Sequence, residues 1–212
     1  MKVVGVFIAF LSAAILGIAS LVIGACGENG AFGGKIEMSK LTKENAEEGL
    51  IVEGEVFSVW DKFAVEEKEE NGSTTTLAEY YTMIMEYSYN EEAPMFIGIS
   101  SRDANELSTL EQMRSEVEGI INDTSDSDVY TTIHFRGKLK KLDDGMLGFL
   151  KVSVSSLLGV TEDVAEEYIT PYVIESYNGS DYMPLLIAGI ALTIVGVGGV
   201  LVLILKDIGE DN

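Results

Sequence analysis

The sequence predicts an α+β protein: a single domain with a mostly antiparallel sheet and two helices, flanked by two transmembrane helices. Three observations lead there. Long charge-free runs stand at the two ends of the 212-residue chain. Between them, several stretches alternate apolar and polar residues with a period of two. Two further stretches space their apolar residues three or four apart.

Val3 to Ala25 is a run of 23 residues without a charge, and Met183 to Leu205 is a second of the same length. A bilayer core about 30 Å thick needs roughly 20 apolar residues as helix, so each is long enough to span it. Asp181 is placed to cap the second helix, Pro184 to open it, and Tyr182 to sit at an interface. The boundaries read as a first span over residues 1–27, a Gly-rich connector over 28–48 with a short polar helix or turn near Ser39 to Glu48, and an acidic domain over 49–178. A second span covers 183–205, and a short acidic tail covers 206–212.

Within the domain, Leu50, Val52, Val56 and Trp60 share one parity, the pattern of a half-buried strand. Phe63 to Glu67 continues it after a bend, and Asn71-Gly72 is a turn candidate. Leu77 to Tyr89 is the clearest strand, with Tyr81, Met83, Met85, Tyr87 and Tyr89 on one face as core. Met95 to Ser100 is a third. From Asp103 the period changes: Leu107, Leu110, Met113, Val117 and Ile120 make an amphipathic helix, and Asp103 with Glu106 has capping-box spacing. Val129 to Leu139 returns to period two, burying Val129, Ile133, Phe135 and Leu139. Asp143 or Asp144 caps a second helix through Met146, Leu150, Val154 and Leu157 to Gly159, although "FLKVSVSS" also alternates and leaves a strand open there. Tyr168 to Ser176 is a last strand, expected at an edge because Pro171 cannot donate to a ladder.

Charge excludes whole classes of partner. Residues 28–182 hold 32 acidic against 12 basic side chains, a net −20 of the chain's −21. Phosphates need Lys and Arg to replace counterions, so nucleic acid is not a partner, and neither is an anionic lipid surface. The excess reads as a solvating charge. The tripeptides at Asn71, Asn122 and Asn178 match a glycosylation pattern that is used only in a eukaryotic secretory pathway.

The single cysteine, Cys26, cannot form an internal disulfide. Ile23-Gly24-Ala25-Cys26 fits a lipobox, in which the cysteine takes a diacylglycerol. The other readings are an uncleaved transmembrane helix, which is preferred, and ordinary signal cleavage. The preferred orientation places the domain outside the cytoplasm. Neither span carries an ionisable residue, which argues against transport by this chain alone. Ala9, Ala13 and Gly17 fall four apart on the first helix, with Gly189 and Thr193 similarly spaced on the second. Small residues at that spacing allow the helices to pack closely.

Phe63-Ala64, Glu79-Tyr80-Tyr81, "MFIGIS" at 95–100, "GKLKKLDD" at 137–144 and Tyr172-Val173-Ile174 together resemble a family of uncharacterised membrane-anchored, two-pass proteins of Gram-positive bacteria. The resemblance runs from about Leu41 to Glu175. It implies a bacterial, membrane-anchored α+β domain without an assigned activity, and it supplies no catalytic residues.

Chemistry is sparse. His134 is the sole histidine, which excludes two-histidine metal motifs, and its parity points it to solvent. "GENGAFGGKI" has Asn29 in place of the first glycine of a phosphate loop and Ile36 in place of its Ser or Thr, so it reads as a connector. Asp123, Asp126 and Asp128 have spacings suited to one hard cation, with a solvated turn as the preferred reading and weak Ca²⁺ binding as the alternative. No cofactor is expected. The expected function is that of a non-enzymatic, extracytoplasmic interaction module of the cytoplasmic membrane with the lipid bilayer and another protein as partners. The alternatives are a membrane-tethered, carboxylate-dependent hydrolase and an accessory subunit of a transporter or secretion complex.

Overall fold

The computed structural model describes residues 2–28, 34–70, 72–88, 94–122, 131–177 and 183–210. The chain divides into two units, one made of residues 1–32 with 178–212 and the other of residues 33–177.

The first unit holds α1 (Lys2–Glu28) and α5 (Met183–Glu210). Val6–Gly24 and Pro184–Leu205 are long and apolar enough to cross a membrane. Their expected flanks, Asp181 and Tyr182, lie outside the described residues.

The second unit is a seven-stranded mixed sheet in the order β1-β2-β6-β7-β5-β4-β3, formed by β1 (Lys35–Glu37), β2 (Ile51–Val56), β3 (Asp61–Glu70), β4 (Ser73–Ile84), β5 (Phe96–Ser101), β6 (Ile133–Lys141) and β7 (Ile169–Ser176). Four of its six pairings are antiparallel, whereas β1–β2 and β5–β7 are parallel. The helices α2 (Ala104–Ile121) and α3 (Asp144–Leu158) lie on opposite faces, and a single turn, α4 (Glu162–Ala165), follows α3.

Under α2, Leu110 and Met113 meet Tyr81, Met83, Ile97, Ile99, Phe135, Leu139 and Ile174. Under α3, Leu150 and Val154 meet Ile84, Phe96, Ile169 and Val173. The sheet therefore has two cores, each large buried side chain contributing about 1.5–3 kcal/mol. Both helix starts are built locally. The Asp103 carboxylate accepts from the Asn105 and Glu106 amides, and Asp143 Oδ1 accepts from the Met146 amide at 2.8 Å. The Glu106 side chain does not close a direct box; it accepts from Ser101 Oγ at 2.6 Å, which in turn accepts from the Asp103 amide at 2.9 Å. At its far end α3 stops at Gly159, whose φ of 66° is the left-handed conformation glycine favours. "FLKVSVSS" is thus helical.

Pro171 does not mark an edge, because β7 lies between β6 and β5. The pairing of β7 with β5 skips from Phe96↔Ile169 to Gly98↔Val173, so the proline sits where the ladder is interrupted and its missing donor is not needed. The sequence also misplaces three boundaries. Residues 35–37 of the expected connector form the edge strand β1. The strand expected over Leu50 to Trp60 stops at Val56. The strand expected over Leu77 to Tyr89 starts at Ser73 and ends at Ile84, with a short 3₁₀ turn at Glu86–Ser88; Tyr89 and Val129 fall outside the described residues.

Two features of the sheet bear on function. Past the Glu79↔Ser101 pair β5 ends, and β3 and β4 continue only with each other to Glu70↔Ser73, making a bare two-stranded arm about 20 Å long. Lys35, Ile51, Lys138 and Glu175 stand in one cross-strand row. The chain therefore enters β1 and leaves β7 at nearly the same height, about 14 Å apart.

Candidate functional site

Among the residues singled out in the sequence, Gly17 is buried against α5. A Cβ there would stand 2.5 Å from Thr193 N and 2.9 Å from Gly189 O. Gly189 in turn leaves room for Leu21, whose amide would lie 2.8 Å from a Cβ at that position. Thr193 Oγ1 donates to Gly189 O at 2.8 Å, satisfying its hydroxyl within its own helix. Ala13 is half-buried and Ala9 is exposed; the buried alanine is Ala14, which with Phe10 faces Gly196. The contact seam follows residues 10, 14, 17, 21 and 24, a spacing alternating between three and four, in place of the strict four counted back from Gly17. Cys26 lies in α1. Asp123, Asp126 and Asp128 lie outside the described residues.

His134 is exposed on β6, with Nδ1 3.1 Å from Glu55 Oε1 and Nε2 3.4 Å from Glu53 Oε1. Lys35 also reaches Glu53, at 2.7 Å, and with His134 and Arg136 holds its carboxyl below the usual range. These groups lie on the part of the α3-side face that α3 leaves open.

On the α2 side, β3, β4 and α2 bring together five polar side chains that periodicity alone does not associate. Lys62 Nζ lies 3.0 Å from Glu79 and 3.2 Å from Glu111. The Tyr81 hydroxyl donates to Glu79 and approaches Glu111 at 3.2 Å. Arg114 binds Glu111 through Nε and Nη2 at 3.1 and 2.8 Å. Burial, then the Glu79 carboxylate, pushes the Tyr81 hydroxyl far above its ordinary pKa, so it stays a donor. Burial disfavours the Lys62 charge, but its bonds to Glu79 and Glu111 outweigh this and raise its pKa. Arg114, and after it Lys62, lowers that of Glu111. The network ties strand to helix with every charge compensated.

The α3-side face carries a cleft of about 360 Å³, lined by Val65, Glu66, Tyr80, Lys140, Lys141, Leu142, Asp143, Met146, Val173 and Glu175. Four strands and the start of α3 contribute. Tyr80, Ser100 and Glu175 stand opposite one another on β4, β5 and β7, so they share this face. Tyr80 Oη lies 3.4 Å from Glu66. Arg102 bridges Glu175 at 3.2 Å and Glu66 at 3.7 Å, while Lys140 stands 3.9 Å from Glu175. Burial, followed by Glu66 and Glu175, raises the pKa of Tyr80. The Ser100 side chain is 1% exposed and its Oγ has no partner among the described residues.

A carboxylate acting as a general acid at neutral pH needs a raised pKa. The carboxylates displaced among the described residues, Glu37, Glu44, Glu53, Glu111 and Glu116, are all lowered. Also among the described residues, no group of three or more His, Cys, Asp or Glu side chains is placed to hold a metal ion.

A family model described as "Domain of unknown function (DUF8577)" matches residues 5–206. No curated protein and no solved structure matches the chain.

Proposed function

This chain belongs to the DUF8577 family, domains of unknown function, and on that premise we propose that it is a two-span anchor of a bacterial cytoplasmic membrane, holding an acidic, non-enzymatic interaction module outside the cytoplasm. The observation that carries the reading is the pair α1 and α5: both are apolar over a bilayer's thickness, and they meet through Gly17, Gly189 and Gly196. The resemblance to membrane-anchored proteins of Gram-positive bacteria points the same way. Interaction with a protein, as opposed to catalysis, is favoured by the economy of the polar groups: the best-organised cluster, around Tyr81, is bound internally, and Arg114 with Lys62 holds Glu111 below the usual carboxylate range.

The test uses whole cells. Thr75→Cys on the β4 arm, in a Cys26→Ser background, should react with a membrane-impermeant maleimide before lysis. Reaction only after lysis would reverse the orientation. Crosslinking in the same cells should then recover a second protein; recovery of this chain alone would defeat the interaction reading.

A further inference from the structure

We propose that the two-stranded arm of β3 and β4 takes up an extended segment of a partner protein as an added strand along β4, and that this segment carries lysine or arginine at every second position. The inference rests on the interaction reading above and names its surface and its class of partner.

Beyond the Glu79↔Ser101 pair, no strand lies against the β5 side of β4 among the described residues. Two residues separate Glu70 from Ser73, so those two exchange both hydrogen bonds, as do Lys68 and Thr75. The N–H and C=O of Thr74 and Thr76 therefore face away from β3. Residues 73–77 are exposed. Such an edge is a template for another strand, and a two-stranded ribbon is only marginally stable in water until one is added. The two edges of the arm are treated differently. β3 guards its own with Glu66, Glu67, Lys68, Glu69 and Glu70, whereas β4 carries no charge from Ser73 to Ala78.

Charge names the occupant. Glu67 stands opposite Thr76 and Glu69 opposite Thr74, so all four share one face of the arm. Glu70 is bound by Lys68 at 2.9 Å and Glu66 lies 3.7 Å from Arg102, but Glu67 and Glu69 form no ion pair among the described residues. Residues of an added strand opposite Thr74 and Thr76 would stand in the same two rows, two strand spacings or about 10 Å from those carboxylates. Only short threonines intervene, and the long side chain of a lysine or arginine reaches across them. The other face holds Ser73, Thr75 and the Lys68–Glu70 pair, which needs no further charge. Alternation of basic and uncharged residues follows. A second copy does not meet this demand: its own edge would set threonine against threonine, and its residues 28–182 carry the same net −20.

Fluorescence anisotropy on the detergent-solubilised full chain compares three labelled heptapeptides: one alternating lysine and threonine, an isomer with its lysines in one block, and one alternating glutamate and threonine. The alternating lysine peptide is expected to bind about tenfold more tightly than its block isomer, and the glutamate peptide not to bind. Thr74→Pro removes one outward N–H while leaving the bonds to β3 in place, and should weaken binding several-fold. Glu67→Gln combined with Glu69→Gln should weaken it about tenfold, whereas Glu162→Gln, outside the arm, should leave it unchanged. Equal binding of the two lysine peptides overturns the proposal, as does unchanged affinity in Thr74→Pro or in the double glutamine variant, or no binding at millimolar peptide. Sedimentation showing a dimer that Thr74→Pro dissociates would give the edge to a second copy instead. A partner crosslinked in cells by a chain that binds no lysine peptide would leave the interaction reading standing and defeat this inference alone.

Discussion

Two residues show how little of this chain's polar chemistry is left to chance. Thr82 and Ser153 are both buried, one on β4 and one on α3, and their hydroxyls lie 2.8 Å apart. Ser153→Ala would strand the Thr82 hydroxyl and should cost about 1–3 kcal/mol in a denaturation experiment, while Ser153→Ala combined with Thr82→Val should recover most of it. Glu111 gives the second case. Its pKa is lowered in the fold, chiefly by Arg114, so the unfolded chain takes up that proton first on acidification. The stabilisation is complete above the ordinary Glu value near 4.5 and is lost as pH falls through the lower folded value. In Arg114→Met that acid-induced loss should be smaller, because the folded value moves back toward the ordinary one; the check is stability measured against pH.

At the scale of elements, the glycines between α1 and α5 set the distance of approach. Gly17→Leu must displace Thr193 or push the helices apart, so disulfide crosslinking between Gly24→Cys and Leu186→Cys, which face each other, should fall several-fold. A crosslinking yield equal to that of the parent would mean the helices meet elsewhere. The two amphipathic helices, the period-two strands and both Asp caps were legible in the sequence, because each depends on neighbours within four residues. β1 was not, since three residues of a parallel edge carry no period of their own. Pro171 misled for a related reason: whether a strand is central depends on partners far along the chain, and the irregular pairing with β5 removes the penalty on which the edge expectation rested. The cleft was illegible as a site. Glu66, Tyr80, Lys140 and Glu175 come from four strands, and alternation tells which face each occupies without telling which strands are adjacent.

For the whole molecule, the opening helix settles what the mature protein is. If α1 is retained as an anchor, the intact mass of the detergent-extracted chain should correspond to a start at Met1; a start at Cys26 with an added diacylglycerol would make Ile23-Gly24-Ala25-Cys26 a processed lipobox and leave α5 as the one span. The mechanics of the sheet unit follow from its strand directions. β1 and β7 run the same way, and the chain enters the first at Lys35 and leaves the second after Ser176 at almost the same height. Tension drawn between those two ends therefore acts across the strands, nearly in line with the hydrogen bonds that join β1 to β2, β2 to β6 and β6 to β7. Such bonds part from the edge inward, one strand after another, and the three-residue β1 is the first to yield.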